Sequence, residues 1–148
     1  MADVFSRSKR SEVMAAVRSR GNQATELRLI TILRAAGLTG WRRQQPLPGR
    51  PDFIFRHARV AVFVDGCFWH GCPLHGRRPA TRKAFWDRKL DRNAARDREV
   101  NRLLRRRGWR VVRIWEHALK AAPRVAARLR AALRAGPLRG GVYQVRTR

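Results

Sequence analysis

The apolar residues of this chain recur with two periods, and the switches between them predict the elements. Residues 6–19 (SRSKRSEVMAAVRS) read as a short basic helix whose few anchoring positions are Val13, Met14 and Val17, too few to hold it in a core. Residues 1–20 are therefore expected to form a basic arm. A second helix is predicted from Asn22, a good N-cap, to Gly37, a good stop, with Leu27, Ile30 and Leu33 as its apolar stripe. Trp41 to Leu47 reads as a first strand, and the prolines of LPGRPD then force a tight loop. DFIF at 52–55 and VAVFV at 60–64 predict a hairpin closed by residues 56–59. After a Cys/His-rich loop at 65–78, helix is expected from Ala80 to Arg107, with a break near Asn93 and an end at Gly108. The near-continuous run WRVVRIW at 109–115 suits a central strand covered on both faces. A last helix over 118–135 carries Leu119, Val125, Leu129 and Leu133, and residues 136–148 are expected to be a flexible basic tail. The order α, β, hairpin, α, β, α predicts an α/β sandwich, with one domain over 21–135.

Charge narrows the partner. Lys and Arg total 35 against 10 Asp and Glu, a formal net charge of +25. Such an excess repels itself unless a polyanion neutralises it, which points to nucleic acid. Only Lys9, Lys83, Lys89 and Lys120 are lysines; the arginine skew fits forked recognition of phosphate, and equally fits GC-rich codon usage. No apolar run approaches the roughly 18 residues of a membrane span and no signal-peptide core opens the chain, so a soluble, intracellular protein is expected. Two cysteines, Cys67 and Cys72, make no disulfide framework.

In so basic a chain the acids are informative, because a nuclease must place carboxylates where phosphate goes in order to hold a cation there. If the hairpin closes over 56–59, paired positions sum to about 115, so Asp52 faces Phe63. Asp52 and Asp65 then share one face with Ile54 and Ala61 as diagonal neighbours about 7–8 Å apart, a separation that brackets a hydrated divalent ion. Glu26 lies at i, i+4, i+7 with Ile30 and Leu33 and so points toward the sheet, where a lone carboxylate is costly. A helix-start Glu can also be a plain dipole partner, and Pro-Asp a plain turn. Asp97 falls with Val100 and Leu104 on the inner face of the long helix, where either His70 or neighbouring arginines can pair with it.

Between Cys67 and His75, CFWHGCPLH offers two thiols and two imidazoles, a set suited to zinc. Cys67, Cys72 and His75 need a fourth ligand, for which His117 is available; buried free thiols beside surface histidines are the alternative. Phe68, Trp69 and Trp86 sit among basic residues and read either as exposed aromatics able to wedge between bases or as buried packing, while Trp109 and Trp115 read as core.

The runs LPGRPDFIF, VFVDGCFWHGCPLHGRRPAT and FWDRKLDRNAARDREVNRLLRRRGWRVVRIWEHAL resemble the very short patch repair (Vsr) mismatch endonucleases over roughly residues 3–120, with GCFWHGC the most specific part. The resemblance implies a restriction-endonuclease-like, PD-(D/E)xK-type sandwich with a central mixed sheet flanked by helices and a structural zinc site. It implies double-stranded DNA with a T:G mismatch, left by 5-methylcytosine deamination, as substrate, nicked 5′ of the thymine. By motif match Asp52 is the central magnesium ligand, the Val64 carbonyl contacts the same ion, and Glu26 supports it through water. His70 and Asp97 match the catalytic pair. Zinc ligands carry over as Cys67, Cys72, His75 and His117, where members often have Cys at the last position. Phe68, Trp69 and Trp86 match the intercalating aromatics, and Met14 a residue reaching the DNA from the minor groove; Arg82 is taken as a phosphate contact. Asp65 stands where some members have a site His, as a direct metal ligand or as support for the hydrolytic water. A monomer in the cytoplasm, associated with the nucleoid, is expected; mismatch-repair proteins are a further partner class on which the sequence itself is silent. A restriction or junction-cleaving nuclease of the same fold, and a zinc-stabilised DNA-binding protein without catalysis, are the competing readings.

Overall fold

The computed structural model describes residues 24–138; the expected arm over 1–20, with Met14, and residues 139–148 of the expected tail lie outside the described residues. Helix α1 covers residues 24–35. Glu26, Leu29, Ile30 and Leu33 share its buried side, whereas Leu27 is 52% exposed. The expected stripe is thus rotated: Leu29 and Leu33, one turn apart, take the inner positions and Leu27 falls outside. Gly37, at φ 69°, and a bond from the Leu38 N–H to the Leu33 carbonyl end the helix.

Strand β1 is Trp41–Arg43, shorter than the expected 41–47 because Gln44 turns left-handed at φ 48°. Strands β2 (Phe53–Phe55) and β3 (Val60–Asp65) pair antiparallel with Phe53 opposite Val62 and Ile54 opposite Ala61, the register expected from the closing turn. Helix α2 runs unbroken from Lys83 to Arg106, through Asn93 without the expected interruption. Strand β4 (Arg110–Trp115) lies parallel to β3. A 3₁₀ turn at Glu116–Lys120 then precedes α3 (Ala122–Ala135), so the last helix starts later than expected, with Pro123 in the first turn where its missing N–H costs nothing.

The four strands form one mixed sheet in the order β1-β2-β3-β4. Contrary to expectation, β4 is at its edge among the described residues, and β2 and β3 are the strands buried on both faces. Only one side of β4, Val112 and Ile114, is fully buried; Val111, Arg113 and Trp115 opposite are half-buried, because that side borders a polar cleft. Trp109 is core as expected, Trp115 is not.

Helices α1 and α3 cover one face of the sheet, packing Leu29, Leu33, Val125 and Leu129 on Phe53, Val62 and Ile114. Helix α2 covers part of the other, with Val100 and Leu104 on Ile54, Ala61 and Phe63. Gly49 (φ +75°) presses the loop before β2 onto α2: a Cβ there would come 2.5 Å from Val100 Cγ1, so only glycine allows the approach. Leu104→Ala, at a fully buried contact between α2 and the sheet, is expected to lower unfolding free energy in urea by about 2–5 kcal/mol, and Leu27→Ala by no more than about 0.5 kcal/mol.

Candidate functional site

Where α2 stops covering the sheet, its lower face and the ends of β2 and β3 leave a cleft of about 350 Å³. Asp52, just before β2, and Asp65, ending β3, line it on the face shared with Ile54 and Ala61; His70 enters from the following loop and Asp97 from α2. The backbone N–H of Val64 donates to Oδ2 of Asp52 at 2.7 Å, so the pairing that aligns β2 with β3 also orients this carboxylate. Burial raises the Asp52 pKa to about 6, against the Val64 bond and with help from the Glu26 and Asp65 charges. Glu26, 7% exposed on α1, accepts from Arg43 of β1 and, at 3.5 Å, from Gln44 Nε2. Its costly burial is thereby offset by a cation.

His70 Nδ1 lies 2.6 Å from Asp97 Oδ2 and 3.8 Å from Asp65 Oδ1. Burial pulls the imidazole pKa down, but the Asp97 bond and the two carboxylate charges outweigh it, and the net shift is upward. The pair fixes the ring: a neutral His70 carrying its proton on Nδ1 leaves Nε2 as the free acceptor. Asp97 also lies 3.4 Å from Arg113, so both partners considered for it are present.

Asp65, 4% exposed, takes both oxygens to Arg113 Nη1, at 2.9 and 3.1 Å. Burial raises its pKa against the His70 and Arg113 charges. Sequence reasoning missed Arg113. Its signal was an arginine in the middle of a mainly apolar strand; it spans Asp65 and Asp97, donates to Asn101 Oδ1 at 2.8 Å, and lies 4.3 Å over the Phe63 ring. Arg50, Lys89 and Arg96 also line the cleft and leave it rich in cations, as a phosphate site requires.

Three of the aromatics meet at one lip. Phe68, Trp69 and Trp86 have ring centroids 4.9 to 6.0 Å apart, and Trp69 lines the cleft. They are half-buried against one another, between the exposed and the buried alternatives. Phe85, which sequence reasoning passed over, is the more exposed ring at 38%; it packs on Trp86 and lies under Arg82. Lys89 sits 5.3 and 5.6 Å from the Trp69 and Trp86 rings, and Asn93 donates to the Trp69 carbonyl.

Behind the loop, one ligand atom each from Cys67, Cys72, His75 and His117 lies within 4.8 Å of the others. The Cys67 sulfur is 3.2 Å from His117 Nδ1, and the Cys72 sulfur 3.6 Å from the same atom. Tetrahedral bonds of about 2.0–2.3 Å need donors roughly 3.3–3.8 Å apart, so this set can hold a metal ion with little rearrangement. Burial pushes the Cys67 thiol up to about 11, which means that a thiolate there requires a cation. Glu116 accepts from the Cys67 N–H at 2.9 Å, tying the loop to the end of β4.

The family model "DNA mismatch endonuclease Vsr" matches residues 2–75. DNA mismatch endonuclease Vsr of Escherichia coli (strain K12) is 43% identical over 122 residues, 81% of this chain and 77% of that protein. Type II nicking enzyme V.XorIIP of Xanthomonas oryzae pv. oryzae is 36% identical over 132 residues, 88% of this chain and 96% of that protein. Type II nicking enzyme V.NaeI of Lentzea aerocolonigenes is 57% identical over 68 residues, and the chain spans only 41% of its length. With half the chain matched by the family model and most of it aligned to two such relatives, the chain belongs to the DNA mismatch endonuclease Vsr family and with it to the endonucleases.

Proposed function

We propose that this chain nicks one strand of a DNA duplex 5′ of the thymine of a T:G mismatch, by magnesium-dependent phosphodiester hydrolysis on a restriction-endonuclease-like scaffold. The observation that carries the reading is the convergence of Asp52, His70 and Asp97 on one cation-rich cleft with a cluster of aromatic rings at its lip. Asp52 and the Val64 carbonyl would hold the magnesium ion, with Glu26 reaching it through water. A desolvated Asp52 beside the Glu26 and Asp65 charges is a carboxylate that a divalent cation would relieve, so the residues fit the ion. When bound, magnesium supplies charge stabilisation at the phosphate and a more acidic water. His70, fixed by Asp97, moves the proton of the attacking water; Asp65 and Arg113 hold that pair in place rather than touch the substrate. Zinc is the ion that suits two thiolates and two imidazoles, and by clamping the 65–78 loop it would orient His70 and the aromatics together. The arm over 1–20, with Met14, would reach the same DNA, and a monomer suffices because all these groups come from one chain.

Mismatch detection is the task of the aromatic cluster, since phosphate contacts carry no preference for a damaged base pair. Rings pushed into the stack cost a few kcal/mol of unstacking, less where pairing is already faulty. The absence of magnesium-dependent nicking of a T:G duplex, measured beside matched and branched DNA, would overturn the reading.

Asp52→Asn should lower the nicking rate at least about 10²-fold while binding persists, measured by single-turnover cleavage and by anisotropy. Its stability should move the other way. The raised Asp52 pKa means that ionisation costs the folded state stability, in full above pH about 6 and not at all below the ordinary carboxylate range. Metal-free Asp52→Asn should therefore melt higher than the unmodified protein at pH 8, with the gap closing as pH falls through about 6 toward 4.

Cys72→Ser, or prolonged chelation, should release one zinc per chain by elemental analysis and lower the melting temperature by at least about 5 °C. A zinc-free protein of undiminished stability and activity would make Cys67 and Cys72 ordinary buried thiols.

Trp69→Ala should lose roughly 1–3 kcal/mol of binding on a T:G duplex and little on a matched one. Arg82→Ala should weaken both alike and flatten the salt dependence. Because Trp69 is half-buried, Trp69→Phe accompanies it: equal losses on both duplexes in a folded variant would refute the wedge.

A further inference from the structure

The cleft does not end at His70 and Asp97. Asp65, His70, Asp97 and Arg113 line both the depression that holds Asp52 and a second, of about 400 Å³, that adds Trp115 and Arg128. Arg128 in turn lines a third, of about 390 Å³, with Lys120 and Arg124 at its rim and Ile114, Ala118 and Val125 among its walls. The first two share four walls and the last two share Arg128, so together they form a trough that runs from the cleft around the open edge of β4 and onto α3. Arg128 Nη1 donates to the Arg113 carbonyl at 2.6 Å, which covers an edge acceptor and fixes the guanidinium where the second and third depressions meet.

Charge along this trough is not balanced. Glu116 is the last acidic residue of the sequence, and residues 117–148 contain none. No Asp or Glu lines the third depression. Some cations of this protein meet a carboxylate, Arg43 at Glu26, Arg78 at Asp87 and Asp91, Lys83 at Asp87, Arg102 at Glu99 and Arg113 at Asp65, but the lining of the third depression offers none to Lys120, Arg124 and Arg128. Lys120 and Arg124 are exposed, and Arg128 bonds a carbonyl that does not cancel its charge. Arg124 and Arg128 stand one turn apart on α3, a step of roughly 6 Å, and Lys120 precedes them at the end of the 3₁₀ turn, so the three form a row that follows a polyanion better than it encloses a single anion.

We propose that this row, Lys120, Arg124 and Arg128, binds the phosphodiester backbone of the duplex flanking the nick, gripping one side of the DNA whose scissile phosphate sits at Asp52. The inference rests on the reading of the cleft as the nicking site. Continuity of the trough with that cleft favours the same DNA over an acidic protein.

The test compares the unmodified protein with Lys120→Ala/Arg124→Ala, and separately with Arg124→Glu, on a short T:G duplex and on duplexes extended on one flank or the other. Binding is followed by anisotropy across salt, and folding by thermal melting. The unmodified protein should gain affinity from one extension and not from the other. In the double variant that gain should disappear and the salt slope on the long duplex fall by about 1.8, at roughly 0.9 per lost phosphate contact, which is about tenfold in affinity between 50 and 200 mM salt. The short duplex should be bound alike by both proteins. Arg124→Glu should weaken the long duplex more than the short one, which keeps the result readable if the double variant melts lower. Equal losses on short and long duplexes, or none on either, would overturn the proposal, as would polyglutamate binding that depends on Lys120 and Arg124 while the flank gain does not. Failure of the unmodified protein to nick the short duplex with magnesium would instead reject the nicking site, leaving the flank measurement to stand or fall on binding alone.

Discussion

β3 is paired along both edges, antiparallel to β2 and parallel to β4, and it is buried on both faces. That double constraint decides where the acids of the cleft stand. A slip of one residue would turn Ile54, Ala61 and Phe63 to the other face and carry Asp65 away from His70. The correct register instead puts the Val64 N–H on Asp52, Asp65 beside Arg113 of the neighbouring strand, and the loop that carries His70 directly after both. Packing from Val100 and Leu104 above and from Phe53 and Val62 below makes any other register expensive.

Few acids in a strongly cationic chain make each buried carboxylate a specific arrangement. Glu26 and Asp65 each face an arginine from an adjacent strand, which limits the cost of their burial. Asp52 differs: its bond is to a backbone N–H, and desolvation together with neighbouring acids holds its pKa near 6. A destabilised carboxylate in a cleft lined by arginines is a feature that stability alone does not favour, and sites under such strain are where chemistry is commonly found. Arg113 links this electrostatic frame to the His70–Asp97 pair, so the edge strand contributes to the cleft.

The 65–78 loop would lack a core of its own without the Cys/His group. Cys67 and Cys72 are buried while Leu74 and His75 are exposed, and the fourth donor, His117, comes from beyond β4. Closing that group joins the loop to the sheet in the same place that Glu116 ties the Cys67 backbone. Phe68, Trp69 and His70 lie between the two buried cysteines, so the aromatic lip and the imidazole are carried by the same loop.

Much of this was legible in the sequence because it depends on spacing. The hairpin register followed from the length of its turn, which placed Asp52 and Asp65 on one face; the rarity of acids marked them, and the Cys/His spacing marked the cluster of Cys67, Cys72, His75 and His117. Asp97 could be assigned to the inner face of α2 by period, but whether histidine or arginine met it could not, and tertiary packing supplied both. The rotation of α1 that exposes Leu27, the continuity of α2 through Asn93, and the edge position of β4 were decided by which faces found partners, a balance that propensity and pattern do not contain. Arg113 is the clearest case. On the sequence it interrupts an apolar strand, and only the sheet shows that its side of β4 faces carboxylates from two other elements, where a charge can be buried because it is paired.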